Sequence, residues 1–343
     1  MNSVIVNQFN VPVVVFFFKR AEKTALIIDR LSLVQPKKLY LISDGGRNGA
    51  ESALVDECRR VVESRINWPC EVVRNYADSN RGVFDRIGLG AKWVLEKEGA
   101  AIFLEDDNLP EISFFKFCEE MLERYRRDTR VLWICGTNYL KEYEPSDGAS
   151  YVFSRHMMPC GWASWKDKFC QFYDENLSLW DDPYLKERIV AEYSNGALCR
   201  QDIRNWDREK RRIEGGRPNS WDYQMSFSQR VHGLYAIVPK YNQISNIGVD
   251  EHSIHGGTTF SNIMTSRFCG LPTKPLVFPL SHPKAVLSDL KFESLVDAVV
   301  LLPLRYRLRG ALNRVLKKIL LVDVNDSLVG VVKGRVRRFL RGR

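Results

Sequence analysis

Four short apolar runs alternate with four amphipathic segments over the first 135 residues, and this alternation limits the possible folds most. The apolar runs are rich in β-branched and aromatic residues: Val13–Phe18, Leu39–Ser43, Ala100–Glu105 and Val131–Cys135. The segments between them have the apolar spacing of helices: Ala21–Leu33, Ala50–Ser64, Val83–Lys97 and Ile112–Tyr125. Short apolar strands alternating with helices predict an α/β fold with a mostly parallel central sheet and flanking helices. In such sheets, ligands bind at the carboxyl ends of the strands.

The net charge of +9 is concentrated in the last residues of the 343-residue chain. Residues 303–343 carry twelve Lys and Arg but only two acids, a net charge of +10, so residues 1–302 carry −1. This tail holds two amphipathic helical patterns, with apolar residues at Leu308, Leu312, Val315, Leu316 and Ile319, and at Val329, Val332, Val336, Phe339 and Leu340. A helix with a basic and an apolar face predicts binding to an anionic membrane surface. The alternative is a helix packed on the body; nucleic-acid binding is not expected, because the tail lacks a reading motif.

Several classes of protein are disfavoured by what the sequence lacks. No apolar run reaches the roughly 18 residues of a membrane span, which argues against an integral membrane protein. Neither G-x-G-x-x-G nor G-x-x-x-x-G-K-[ST] occurs, which argues against dinucleotide and P-loop chemistry. The eight cysteines form no Cys-x-x-Cys pair, and the first residues show no signal-peptide pattern. We therefore expect a reducing, cytoplasmic compartment.

Three adjacent acids, Glu105, Asp106 and Asp107, directly follow an apolar run. At the carboxyl end of a buried strand their charges repel one another, and a divalent cation would relieve this repulsion. Carboxylate oxygens suit Mg²⁺ or Mn²⁺, which keep coordination positions open for phosphate. The alternative is a solvated acidic turn before the next helix. The position after a buried strand favours the metal.

Polar residues after the other strands are candidate nucleotide ligands. Asp44, which precedes two glycines, is a candidate partner of a base or ribose, although Asp-Gly is also an ordinary turn. Candidate phosphate partners are Lys19 and Arg20 after the first strand, and Arg81 and Arg86 near the third.

The middle of the chain contains further candidates. Residues 150–250 hold five of the eight tryptophans, and Gly161-Trp162 offers a flat face for a sugar or belongs to the core. Ser220 is a candidate N-cap that places Asp222 in the first turn of a helix. Asp222 is also a candidate general base. Two loop histidines, His252 and His255, are candidates to complete a metal site.

Several motifs follow one another in order over roughly residues 12–256. They are Ile42-Ser43-Asp44-Gly45, Arg81 with Trp93-Val94-Leu95-Glu96, Phe103-Leu104-Glu105-Asp106-Asp107-x-x-Pro110, Phe114-Phe115-x-Phe117-Cys118, Gly161-Trp162-Ala163-Ser164-Trp165, Trp221-Asp222-Tyr223-Gln224 and Asn246-Ile247-Gly248 with His255. In this order they resemble GT-A-fold nucleotide-sugar glycosyltransferases, in particular bacterial relatives of the Golgi N-acetylglucosaminyltransferase that starts complex N-glycans. The tail lies outside the resemblance.

The resemblance implies a Rossmann-like GT-A catalytic domain over residues 1–256, with a nucleotide-sugar-binding half to about residue 135 and an acceptor-side half after it. A connecting segment, 257–302, and the basic amphipathic helical tail, 303–343, follow. By this resemblance Asp107 binds Mn²⁺ or Mg²⁺ and Asp222 is the catalytic base. His255 matches a histidine near the diphosphate and the metal. Because relatives usually place Thr beside this histidine and the loop here does not, His252 remains an alternative.

The other implied roles concern the donor and the sugars. The implied nucleotide-sugar ligands are Phe18, Lys19, Asp44, Arg81, Arg86, Glu105 and Asp106, and the residues bordering the sugars are Gly161, Trp162 and Trp221. Within the first set, Asp44 would hold the nucleobase and Asp106 would face the ribose or sugar.

The implied activity is metal-dependent, inverting transfer of a sugar from a nucleoside diphosphate to a hydroxyl of a glycan or lipid-linked glycan. The expected setting is bacterial surface polysaccharide synthesis at the inner face of the cell membrane. Two other classes remain. A sugar-nucleotide nucleotidyltransferase would be expected to carry a Gly-rich loop near the first strand, and none is present. A non-enzymatic peripheral membrane-binding protein would use the acids structurally.

Overall fold

The computed structural model describes residues 8–249, 263–320 and 322 of the chain. The strands in these ranges are β1 Val13–Phe17, β2 Lys38–Ser43, β3 Glu71–Tyr76, β4 Ala100–Glu105, β5 Asn108–Pro110, β6 Val131–Cys135, β7 Tyr151–Ser154, β8 Trp162–Trp165, β9 Tyr235–Pro239 and β10 Ile244–Asn246. The α-helices are α1 Ala21–Val34, α2 Gly49–Ser64, α3 Gly90–Lys97, α4 Ser113–Arg124, α5 Lys166–Phe172, α6 Pro183–Ala191, α7 Gly196–Glu214, α8 Asp222–Val231, α9 Ile263–Phe268, α10 Leu290–Val300 and α11 Leu304–Ile319.

Eight of the strands form one sheet in the order β3-β2-β1-β4-β8-β6-β9-β7. The pairs among β3, β2, β1 and β4 are parallel, as is β6 with β9. β8 runs antiparallel to both β4 and β6, and β7 runs antiparallel to β9. Six strands therefore share one direction, which confirms the predicted α/β class with a mostly parallel sheet.

The strand order switches between β1 and β4. The chain moves from β1 to β2 and β3 on one side, and β4 then pairs with the other side of β1. The loops that leave the carboxyl ends of β1 and β4 consequently diverge around a crevice. In open α/β sheets this is the position where ligands bind.

The predicted strands and helices of the first 135 residues are confirmed, with shifts of a residue or two at their ends. One exception is the predicted helix Val83–Lys97, which divides into a π-helical segment, Phe84–Leu89, and α3. β3 has no apolar run to signal it, because it lies at the sheet edge and is only partly buried. β8 is too short, at Trp-Ala-Ser-Trp, to show a period of its own.

Residues 263–299 pack on the sheet, although the sequence suggested only a connecting segment there. Their buried apolar residues are Cys269, Leu271, Leu276, Leu280, Val286, Phe292 and Val296. The backbone of this segment also bonds to β7, since Asp289 N donates to Phe153 O at 3.0 Å. Contacts divide the chain into two units, Met1–Val299 and Val300–Arg343.

In the second unit the described helix is α11; the second amphipathic pattern of the tail, residues 329–340, lies outside the described residues. Across the described ranges, no helix combines the length and apolar character needed to cross a bilayer.

Candidate active site

The crevice at the strand-order switch brings the first loop against the acid triplet. In the parallel ladder of β1 and β4, Phe16 lies beside Glu105, so the residues that follow each strand are neighbours. Phe18 N donates a hydrogen bond to Asp106 Oδ2 at 3.3 Å. Arg20 Nη1 lies 3.4 Å from Asp106 Oδ1 and 3.0 Å from Asp107 Oδ2. The structure therefore gives Arg20, a candidate phosphate partner by sequence, a direct role in holding the acids.

The acids carry more negative charge than this arginine offsets. Burial raises the pKa of Glu105 well above its usual range, and the charges of Asp107, Asp106 and Asp222 raise it further. Burial also raises the pKa of Asp106 to about 6, while the Arg20 guanidinium acts in the opposite direction. Because desolvation and like charges both disfavour the ionised carboxylates, a further cation in the crevice would stabilise them.

A short pair of strands outside the main sheet fixes the carboxylate of Asp107. β5 and β10 are antiparallel, with Asn108 opposite Asn246. Their side chains both donate to Asp107 Oδ1, Asn108 Nδ2 at 2.7 Å and Asn246 Nδ2 at 3.2 Å. The backbone joins in, since Ile247 N donates to Asp107 O at 2.8 Å. Asn108 was not among the predicted site residues, although its position next to the acids was a usable signal.

Gly248 lies directly against Asp107, so that a methyl group at this position would overlap Asp107 Oδ2. We expect Gly248→Ala to displace the carboxylate and to weaken metal-dependent nucleotide binding at least about tenfold, the scale on which residues that orient a metal ligand act. Titration of nucleoside diphosphate with Mn²⁺ by thermal shift measures this. Gly99→Ala is the matched control, because a methyl group there meets no atom within 4 Å. Equal affinities in the two variants would contradict the prediction.

The described residues offer a divalent cation few protein ligands. Residues 8–249, 263–320 and 322 contain no group of three or more His, Cys, Asp or Glu side chains arranged to hold a metal. They do provide Asp107, whose Oδ1 accepts from two amides and whose Oδ2 accepts from Arg20 at 3.0 Å. Mg²⁺-type ions are commonly bound by one or two carboxylates together with substrate phosphates and water. The other candidate ligands, His252 and His255, lie outside the described residues.

Asp222 is the first residue of α8 and is partly exposed. Ser220 Oγ donates to Asp222 Oδ1 at 2.5 Å and accepts from Tyr223 N at 3.0 Å. The N-cap residue is Trp221, one residue later than predicted, while Ser220 supplies a hydrogen bond to the first turn; Asp222 lies in that turn, as predicted. The charge of Asp222 contributes to the raised pKa of Glu105. Asp222 therefore lies within electrostatic range of the acid triplet, although it is 115 residues further along the chain than Asp107.

A buried glutamate on α7 holds the segment that leads to Asp222. Glu209 is fully buried, and its Oε1 accepts from Asn219 N at 2.7 Å and from Ser220 N at 2.9 Å. Glu209 was not among the predicted site residues, because it lies in the run Asp-Arg-Glu-Lys-Arg-Arg, whose composition is that of a solvated helix face. No local signal separates it from its charged neighbours.

Asp44 organises the neighbouring loop. Its carboxylate accepts from Gly45 N and Arg81 N at 2.8 Å each, and from Asn80 Nδ2 and Gly82 N at 2.9 Å each. The adjacent glycine is required because a Cβ at Gly45 would lie 2.5 Å from the backbone of Ser79. A carboxylate has about four acceptor positions, and protein donors occupy that number here. The Asp44 carboxylate and the adjacent glycine therefore stabilise the loop itself, and the hydrogen-bonding positions of the carboxylate are already occupied by the protein.

The three candidate phosphate partners Lys19, Arg81 and Arg86 differ in availability. Lys19 Nζ is paired with Glu51 at 2.7 Å, and Arg47 shares that carboxylate, so that these hydrogen bonds lower the pKa of Glu51 to about 2. Arg86 is buried, and its Nη2 donates to Ser43 O, Asn75 O and Asn75 Oδ1 at 3.2, 2.6 and 3.1 Å. The side chain of Arg81 is 57% exposed, and its backbone N–H is one of the donors to Asp44.

Trp162 lies in the core and has no free face for a sugar. It is 1% exposed, and β8 lies between β4 and β6, so Phe103 and Trp133 stack on opposite sides of it with ring centroids 4.0 Å away. Trp221 is 3% exposed and stacks on Trp162, with 5.5 Å between the two ring centroids. Both tryptophans therefore lie in the core, which the sequence left open as an alternative for Trp162 and did not predict for Trp221.

Gly161 contributes through its backbone. Its φ of +61° suits glycine, a Cβ would lie 2.5 Å from Ile244, and its N–H donates to Asn108 Oδ1 at 2.7 Å. It thus supports the loop of the acid triplet.

No protein-family model matches the chain, and no curated protein sequence is significantly similar to it. Among solved structures, 4-diphosphocytidyl-2C-methyl-D-erythritol synthase from Anaerococcus prevotii has 9% identity and a TM-score of 0.31, over 68% of this chain and 91% of that one. Mouse xyloside xylosyltransferase 1, in its apo form, has 9% identity and a TM-score of 0.38, over 80% of this chain and 100% of that one. The bifunctional glycosyltransferase WbbM has 11% identity and a TM-score of 0.25, over 50% of this chain and 29% of that one. Similarities this low assign no activity to the chain.

Proposed function

We propose that this chain is a metal-dependent, inverting glycosyltransferase of the GT-A type, related to the Golgi N-acetylglucosaminyltransferase that starts complex N-glycans. It would move a sugar from a nucleoside-diphosphate donor to a hydroxyl of a glycan or lipid-linked glycan. The observation that carries the proposal is the excess of acidic charge at the strand-order switch, where Arg20 lies against Asp106 and Asp107 and the charge of Asp222 reaches Glu105. The order of the sequence motifs supports the same family.

The donor nucleotide would lie across the carboxyl ends of β1 and β2. Phe18 is partly exposed there, with Lys19 Nζ 5.5 Å and the Arg47 guanidinium 5.7 Å from its ring centroid. A partly exposed aromatic ring provides a surface for a base, while Lys19 and Arg47 beside it share the carboxylate of Glu51. Asp44 would shape this pocket through residues 80–82. Arg81, exposed on the same loop, would reach the diphosphate.

Asp107 would hold Mn²⁺ or Mg²⁺ together with the donor diphosphate, with His255 or His252 as a further ligand. The bound ion would supply Lewis-acid stabilisation of the diphosphate as it leaves. Asn108 and Asn246 would keep the Asp107 carboxylate in place during the reaction, since both amides donate to the same oxygen. Asp106, bonded to the backbone of Phe18, would face the ribose or the sugar.

Asp222 would act as the general base. As the acceptor hydroxyl oxygen forms its bond to the anomeric carbon, its proton would pass to the Asp222 carboxylate, and the bond from that carbon to the diphosphate would break on the opposite face. The configuration inverts and no covalent intermediate forms. The hydrogen bond from Ser220 Oγ orients the carboxylate for this step.

The proposed setting is the inner face of the cell membrane in a bacterial surface-polysaccharide system. Support comes from the family resemblance and from the +10 charge of residues 303–343.

Binding of nucleoside diphosphates tests the proposal most directly. At about 100 times Kd, a ligand stabilises the folded state by about 2.7 kcal/mol, which should raise the midpoint of thermal unfolding by several degrees. We expect this shift with one nucleoside diphosphate in Mn²⁺ and a much smaller one in chelator. Release of that diphosphate from nucleotide sugars then identifies the donor. Absence of any shift across the nucleotides would contradict the proposal, and release of pyrophosphate from a triphosphate and a sugar phosphate would favour the nucleotidyltransferase.

A further inference from the structure

Helix α11, Leu304–Ile319, is an amphipathic helix with a continuous apolar stripe. None of its side chains is buried. Leu304, Leu308, Leu312, Val315 and Ile319 recur at the spacing of one helix face. Their exposed fractions are 59, 61, 60, 54 and 68%. A stripe of this length would be unfavourable in water unless another surface covers it.

The charge of α11 restricts what that surface is. The helix carries six cations and no acid: Arg305, Arg307, Arg309, Arg314, Lys317 and Lys318. Placed at 100° per residue, Arg305 and Arg309 border one edge of the apolar stripe and Arg307 and Lys318 border the other. Long basic side chains can lay their aliphatic stems along an apolar surface and extend their charges beside it. The covering surface must therefore accept apolar side chains and carry negative charge around them.

A second copy of the chain does not meet this requirement. Pairing two α11 helices through their stripes would bring two sets of six cations together, and like charges across an interface oppose association. An anionic lipid surface meets both conditions, because its acyl region accepts the stripe while its headgroups attract the cations. The absence of acids in the helix is the property that favours lipid over a self-association face.

We propose that α11 lies in the plane of an anionic membrane surface, with its apolar stripe among the acyl chains and its arginines and lysines at the headgroups. This inference goes beyond the proposed activity, because it rests on α11 alone. It assigns membrane contact to a helix that lies in the bilayer interface, with no helix in the described ranges that could cross it.

Cosedimentation of the full chain with vesicles tests the proposal without any activity measurement. Vesicles of phosphatidylcholine with about one third phosphatidylglycerol should bind the chain at least about tenfold more tightly than phosphatidylcholine alone. Raising the salt from about 0.1 M to about 1 M should reduce this binding, because the screening length falls from about 10 to about 3 Å. Equal binding to both lipids would overturn the proposal, as would no binding to either.

Insertion of the stripe is tested by a double variant, Leu308→Gln with Leu312→Gln. Since neither side chain is buried, the fold should be retained, and circular dichroism checks this. We expect binding to anionic vesicles to fall at least about tenfold. Leu33→Gln with Leu54→Gln is the matched control, because these leucines are 66 and 46% exposed in the first unit, and its binding should equal that of the wild type.

Two outcomes of this comparison would reject insertion. Unchanged vesicle binding by the Leu308/Leu312 variant would mean that the stripe of α11 does not hold the chain at the surface. Self-association of the wild type in sedimentation equilibrium, lost in the same variant and seen without vesicle binding, would instead identify the stripe as a contact between copies.

Discussion

The Asp222→Asn variant should transfer sugar at least about a hundredfold more slowly than the wild type, which is the usual scale of general-base catalysis. Asn cannot accept the proton, but it keeps the size of Asp and can still accept the hydrogen bond from Ser220 Oγ. The hydrogen bond between Ser220 Oγ and Tyr223 N is not touched. The loss should therefore fall on kcat, while the affinity for the nucleotide donor stays close to that of the wild type.

Initial rates with the donor and acceptor found by screening nucleotide sugars measure this effect, with thermal unfolding as the test of folding. Asp182→Asn is the matched control, since Asp182 caps α6 by accepting from Tyr184 N at 2.8 Å and Asn caps helices equally well. Near-normal turnover by a folded Asp222→Asn enzyme would remove Asp222 as the base. A similar loss in both variants would point to a general effect of helix-terminal charge.

The Asp107→Asn variant should also lose at least about a hundredfold in transfer, on the scale seen when a charge-stabilising group is removed from an active site. The route differs from that of Asp222, because the affinity for the nucleotide in Mn²⁺ should fall together with the rate. In the protein, Arg20 bonds one oxygen of Asp107 and two amides bond the other. An amide at this position would turn a donor towards one of these donors, so some loss of stability is expected as well.

A second variant separates these two effects. Asp107→Glu keeps the charge but moves the carboxylate by one methylene, so it should fold and still lose the Mn²⁺-dependent part of the nucleotide-induced thermal shift. Asp56→Asn, on the exposed face of α2 with a side chain 69% exposed, is the matched control and should behave as the wild type. An Mn²⁺-dependent shift that persists in both Asp107 variants would exclude Asp107 as the metal ligand.

The acid triplet shows how far local sequence predicts a site. An apolar run followed by three adjacent acidic residues predicts that the triplet lies at the end of a strand, and in the structure it follows β4. Its partners are not local. Arg20 is 87 residues from Asp107 along the chain, and Asn246 is 139 residues from it. The sequence around Arg20 or Asn246 contains no pattern that predicts a contact with Asp107. The meeting of these residues depends on which strands pair, and pairing depends on contacts across the whole domain.

The tryptophans show the opposite limit. A glycine followed by a tryptophan is typical of a surface on which a sugar stacks, yet Trp162 is the first residue of β8, a central strand of the sheet. The position of β8 between β4 and β6 encloses Trp162 between Phe103 and Trp133. Whether an aromatic ring has a free face is a property of its neighbours in space, which a local pattern does not contain.

The α/β class, the main strands and helices of the first 135 residues and the strand ends that carry the acids could all be predicted from the sequence. So could the division of charge between a near-neutral body and a basic tail. These features are set by spacings of two to four residues and by composition, which the chain displays directly. Four features required the folded chain: the contact of Arg20 with the acids, the bonds of Asp44 and Arg86 to groups of the protein, the support of Glu209 for the segment before Asp222, and the exposure of the stripe of α11. Each of these depends on strand order, register or burial, and those arise when residues far apart in the chain pack together.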